Sequence, residues 1–220
     1  LNRMAKTLQE LTENKRILLV GNSVEILQYN LKDKIESYDT VVRFGQGYPR
    51  KENKDRIGSR TDIWITGYLR QNFSRFFEDS LKLHNRCRIH MDRPAKAGTP
   101  KFEHITMFSD EEILEINKEL GVVEHEHLGW RPSAGFWAIL FFIRKCNYKS
   151  LTLIGFDFFS KSLPFKTGED HPSSWHMPVS TVRMNPHNPR EKELVLEMRD
   201  RGILEWIILS DLKKEFLNLT

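Results

Sequence analysis

Short apolar runs alternate along this chain with segments whose apolar residues recur every three or four positions. Ile17-Leu18-Leu19-Val20 is apolar throughout, β-branched at its ends and stopped by Gly21. A run without polar alternation fits a strand buried on both faces, as in a parallel sheet. Further strands are predicted at 40–43, 62–66, 88–91, 151–154 and 206–209. Between them the period turns helical. After Gly21-Asn22-Ser23 come Ile26, Leu27 and Leu31. Ser109-Asp110-Glu111-Glu112 is a capping box ahead of Ile113, Leu114 and Ile116, with Gly121 as the stop. A helix from Pro132-Ser133 carries Phe136, Trp137, Leu140, Phe141 and Ile143, apolar on nearly every side and therefore central. A last helix at 190–201 ends at Gly202. Residues 3–14 place Met4, Leu8 and Leu11 at helical spacing among charges, an amphipathic helix that either packs on the body or rests on a membrane surface. The alternation predicts an α/β fold, one domain over 16–220 around a mostly parallel sheet, preceded by a helix within 1–15.

Composition narrows the class. Hydrophobic residues at 39% and aromatics at 11% fill a core and exclude disorder. The longest apolar run, 134–143, is about half the ~20 residues that cross a bilayer as a helix. The net charge of +4 has no block of like charges, which argues against nucleic acid as partner. A pI near 9.0 favours anionic ligands, a nucleotide phosphate or an acidic lipid headgroup. Cys87 and Cys146 form no C-x-x-C, so neither a zinc cluster nor a disulfide framework is expected, and a reducing cytoplasm is the expected setting.

Two helix starts are candidate anion cradles. Gly21-Asn22-Ser23 stands where the first strand hands over to a helix, and Ser133-Ala134-Gly135 follows Arg131, whose fork suits phosphate or carboxylate. Each is equally readable as a plain turn and helix cap. Together they predict a nucleotide held between them, although neither G-x-G-x-x-G nor a P-loop is present. Of the basic residues between the second and third strands, Arg43 and Arg60 are singled out because each adjoins a strand end. The Pro-rich stretch 158–189 carries His171, His176 and His187, and His187 precedes a helix with Glu191 and Glu193. An imidazole there suits proton abstraction near neutral pH. Zinc is the rival use of such histidines, but H-E-x-x-H is absent and His125 and His127 alternate as on a surface strand. No D-x-D offers a divalent cation a ligand pair, so a sugar donor would be a nucleoside monophosphate.

These residues resemble the sialyltransferases, the animal-type family 29 most closely and the bacterial family 42 more loosely. The stretch from Ile17 through Gly21-Asn22-Ser23 and Tyr38-Asp39-Thr40-Val41-Val42-Arg43-Phe44 to Gly58-Ser59-Arg60-Thr61 is similar to the large sialylmotif. Arg131-Pro132-Ser133-Ala134-Gly135 through Leu153-Ile154-Gly155-Phe156-Asp157 is similar to the small one. His187 with Glu191 and Glu193 resembles the last motif. The resemblance implies a Rossmann-like nucleotide-binding domain, the GT-A-like variant of these enzymes. It also implies inverting transfer of a sialic acid or Kdo-like keto-sugar from a CMP donor to a glycan or glycolipid, without metal or cofactor, with peripheral membrane contact allowed. Gly21, Asn22, Ser23, Arg43, Gln46, Arg131, Ser133, Ala134, Gly135, Gly155 and Phe156 would hold the donor. His187 would be the base, Glu191 its acidic companion and His176 a phosphate contact, with His171 as competitor.

The sequence departs from the family pattern in places. Gly45 replaces an Asn, leaving Gln46 for its contact, and Lys192 stands where the acidic residue of the last motif belongs. Phe159 and Phe165 replace phosphate-binding tyrosines of the bacterial family. Ile17 occupies the position of the disulfide partner of Cys146. Two other readings remain: a Mg²⁺- and ATP-dependent pyrophosphokinase that shares Gly155-Phe156-Asp157-Phe158, and a CMP-binding module without catalysis.

Overall fold

The computed structural model describes residues 7–44, 53–66, 87–90, 104–119, 133–158 and 189–212. Its centre is a seven-stranded sheet. The strands are β1 (Arg16–Val20), β2 (Thr40–Phe44), β3 (Ile63–Thr66), β4 (Cys87–His90), β5 (His104–Thr106), β6 (Ser150–Ile154) and β7 (Glu205–Ile207). They lie in the order β5-β4-β3-β2-β1-β6-β7, and each neighbouring pair is parallel. β1 is flanked in register by β2 and β6, Ile17 facing both Thr40 and Leu151. That central position explains the unbroken apolar run: Ile17, Leu18, Leu19 and Val20 are all buried.

Strand alternation sends side chains to two layers. Ile17, Leu19, Val42, Phe44, Leu151 and Leu153 face α1 (Leu8–Thr12), α4 (Asp110–Glu119), α5 (Ala134–Lys145) and α6 (Pro189–Asp200), which contribute Leu11, Ile116, Phe142 and Val195. Leu18, Val20, Val41 and Ile154 face a 3-10 helix (Val24–Gln28), α2 (Lys32–Glu36) and α3 (Lys54–Ile57). α5 is the central helix the pattern predicted, with Phe136, Ala138, Ile139, Leu140, Phe141 and Phe142 buried. Removing one such side chain from water is worth about 1.5–3 kcal/mol. The capping box of α4 closes as read: Ser109 N–H donates to Glu112 Oε2 at 2.8 Å, and Glu112 N–H to Ser109 Oγ at 3.3 Å.

Three expectations change. The segment after Ser23 is not one α-helix: the 3-10 helix stops at Gln28 because Leu31 N–H donates to Arg56 O at 2.7 Å, a tertiary bond that breaks the run before α2. β5, with one apolar residue in three, adds an unpredicted edge strand. The choice left open for the first helix is resolved for its described part. Leu11 is buried, Leu8 packs on the core, and Thr40 Oγ1 donates to Leu11 O, so the apolar side of α1 is covered by the body and not left for a membrane. Among the described residues no helix is long and apolar enough to cross a membrane.

Candidate functional site

From β1 the sheet is built in one direction through β2, and from β6 in the other through β7. Open parallel sheets bind ligands outside the C-terminal ends of the strands where the order reverses in this way. The turns after β1 and β6 meet there. Gly21 N–H donates to Ile154 O at 2.8 Å, and Ser23 N–H to Gly155 O at 3.1 Å. Gly155 has φ of 71°, in the left-handed region that favours glycine. A Cβ on Gly21 would stand 2.3 Å from Gly155 O, so this glycine is required by the approach of the two strand ends themselves.

Asn22 spans the crevice to β2, its Nδ2 donating to Phe44 O at 3.2 Å. That carbonyl can only accept, which fixes the amide's orientation. The atom left buried without a partner is therefore Oδ1, an acceptor. Through Oδ1, Asn22 is thus set to receive a hydroxyl or an amino group. Ser23 is spent locally, its Oγ accepting from Glu25 N–H at 3.3 Å as cap of the 3-10 helix. Five residues of 3-10 helix carry a smaller dipole than the α-helix expected here.

The second cradle already holds an anion. Glu191, fully buried at the start of α6, accepts from Ser133 N–H at 2.6 Å and from Ser133 Oγ at 2.8 Å, while Ser133 Oγ accepts from Phe136 N–H at 3.1 Å. Ser133 and Glu191, placed apart in the sequence reading, form one unit that pins α6 to the tip of α5. Ala134 opens α5, and at Gly135 a Cβ would lie 2.7 Å from the Phe156 ring. Phe156 belongs to a row of rings across the strand ends, 5.7 Å from Phe44 and 5.9 Å from Phe158, which stands 5.1 Å from Trp206. Phe158 holds φ of 49°, a conformation costly for a side chain of its size.

Between the 3-10 helix and α6 lies a cavity of about 120 Å³ lined by Ser23, Glu25, Phe156, Asp157, Lys192 and Trp206, among others. Asp157 and Trp206 were not singled out from sequence as site residues. The Gly155-Phe156-Asp157 strand end was the available signal for the first, and nothing local marks the second. A larger cavity, about 360 Å³, opens between Lys15, Tyr38, Asp39 and Arg60 at the opposite ends of β1 and β2, away from the switch point.

Arg43 and Arg60 do come together, but as braces. Arg43, fully buried on β2, donates from Nε to Arg60 O at 3.1 Å and from an Nη to Ile57 O at 2.6 Å. Burial pushes its guanidinium down to about 9, against the pull of Glu36. Arg60 pairs with Asp62 at 2.7 Å and donates to the carbonyls of Tyr38 and Asp39. Gln46, Arg131, His171, His176, His187, Phe159 and Phe165 lie outside the described residues.

Fold and crevice define an open, parallel-sheet α/β class whose crevice lies at the topological switch point. No known family model matches the chain, and no curated protein matches it in sequence. Solved structures do. A mammalian sialyltransferase shares 15% identity at a TM-score of 0.56, over 91% of this chain and 71% of that one. A mammalian sialyltransferase in complex with Gal-β1-3GalNAc-ortho-nitrophenol gives 0.54 at 15% identity and the same coverage. A variant of the sialyltransferase CST-II in complex with CMP gives 0.56 at 15% identity, over 89% of this chain and 81% of that one. The fold is that of the sialyltransferases, Rossmann-like and GT-A-like, as the motif resemblance implied.

Proposed function

We propose that this chain is an inverting, metal-independent glycosyltransferase that moves a sialic acid or related keto-sugar from a CMP donor to the hydroxyl of a glycan or glycolipid. The observation that carries the reading is the junction of the β1 and β6 turns beside the joined tips of α5 and α6, in a fold whose solved relatives include one bound to CMP and one bound to a disaccharide glycoside. The joint of Gly21 and Gly155 supplies a rigid floor, and Asn22 Oδ1 supplies an acceptor for a ribose or sugar hydroxyl.

In the reaction the acceptor oxygen forms a bond to the anomeric carbon as the bond from that carbon to the phosphate oxygen breaks. The electron pair leaves with CMP, and the proton of the attacking hydroxyl passes to a ring nitrogen of His187. Charge builds on the phosphate while the sugar gains oxocarbenium character, so groups aimed at the phosphate stabilise the transition state more than the ground state. His176 is assigned to that phosphate. The spacing of Cys87 and Cys146, with Ile17 in the place of a disulfide partner, fits a cytoplasmic setting.

The test is CMP release from CMP-Neu5Ac and CMP-Kdo, with acceptor and alone. His187→Ala should lower turnover by about 10²–10⁴-fold and leave CMP affinity unchanged. Undiminished turnover in that variant would remove the base. CMP binding without turnover of any donor would favour the binding module, and activity that needs ATP and is lost in a chelator would favour the pyrophosphokinase.

A further inference from the structure

The crevice is rich in acids. Glu25 and Asp157 line its cavity, and Glu191, the residue before the cavity-lining Lys192, is buried with both oxygens on Ser133. The donor proposed above brings more negative charge, on its phosphate and on the carboxylate of its keto-sugar. The Ser133 N–H that would have met such a group is taken by Glu191. Lys192 follows Glu191 on α6, about 100° further round the helix. With Glu191 locked to Ser133, that rotation is fixed, and Lys192 lines the cavity beside Ser23, Phe156 and Asp157. Arg16, Arg60, Arg144, Lys145 and Arg199 are paired with carboxylates. Lys192 makes no ion pair or hydrogen bond among the described residues, and its side chain is exposed.

We propose that Lys192 is a donor-binding residue of this crevice, its ammonium pairing with an anionic group of the bound CMP-sugar. The inference rests on the proposed function and explains the register of the last motif: Glu191 takes the buried acidic role one position early, which frees the next position for a cation. The anion is either the phosphate or the sugar carboxylate, and three ligands separate them: cytidine carries neither, CMP only the phosphate, and CMP-Neu5Ac both.

Calorimetric titration of the three ligands into the wild-type chain, Lys192→Met, Lys192→Arg and the distant control Lys118→Met reads the effect. Lys192→Met should bind CMP and CMP-Neu5Ac about tenfold more weakly if the partner is the phosphate, or CMP-Neu5Ac alone about tenfold more weakly if it is the carboxylate. Cytidine affinity should not change, Lys192→Arg should keep most of the binding, and Lys118→Met should behave as wild type. Because Lys192 is exposed, thermal midpoints should stay together. Equal affinities for wild type and Lys192→Met would overturn the assignment while leaving the function standing. A wild-type chain that binds none of the three would overturn both.

Discussion

Asp39 at the entry to β2 shows how one carboxylate fixes a strand start. Its Oδ2 accepts from Arg16 N–H at 2.9 Å and Arg16 Nε at 3.2 Å, and these bonds hold the carboxyl below the usual carboxylate range. A depressed native pKa contributes stability that is present above the unfolded value, 3.8, and is lost as pH falls through the native one. Asp39→Asn should therefore lower the melting midpoint at pH 7 and leave it close to wild type near pH 2. An equal deficit at both values would assign the effect to packing. Arg43 carries the opposite lesson about legibility. Its place at a strand end was visible in the sequence, but its pointing into the α2 and α3 layer, onto the carbonyls of Ile57 and Arg60, depends on which strand face is covered and by what. A run of letters does not record that.

At the level of elements, the unit formed by Ser133 and Glu191 joins the tips of two helices that contribute to the same core. Removing either partner strips hydrogen bonds from a buried carboxylate or leaves backbone donors unmet, costs of about 1–3 kcal/mol each. Urea unfolding of Ser133→Ala, Glu191→Ala and the double variant should give a coupling energy of about 1–3 kcal/mol, and additivity would show that the pair does not act as a unit. Ser133 was readable as a cap because a short polar residue preceded an apolar helical run. Its carboxylate partner was not, since 58 residues separate them and Glu191 was read through the neighbouring histidine. The helix after Ser23 failed for the same reason, its period being overridden by the bond from Leu31 to Arg56. β5 was too short and polar to register, whereas β1 announced itself because burial on two faces leaves no polar alternation, and β6 through Leu151, Leu153 and Ile154 around a single buried polar residue, Thr152.

For the whole molecule, the sheet was legible as parallel from strand and helix alternation, but the strand order was not. The meeting of the β1 and β6 turns, which makes the crevice, comes from that order. α1 closes one end of the same architecture, with Leu11 in the main core and its carbonyl bonded to Thr40. Leu11→Ala should lower unfolding free energy by about 2–4 kcal/mol, measured in urea, and a loss below half a kcal/mol would show that α1 is dispensable to the body. The position of β1 also sets a hazard during synthesis. Strands β1 to β5 all leave the ribosome before β6, yet β6 is the neighbour that covers the open side of β1. Until residue 154 has emerged, the nascent chain presents Ile17-Leu18-Leu19-Val20 as a bare hydrophobic edge, able to pair with any extended segment nearby. Translation speed and chaperone supply across that interval, more than the stability of the finished protein, should govern how much soluble material a cell recovers.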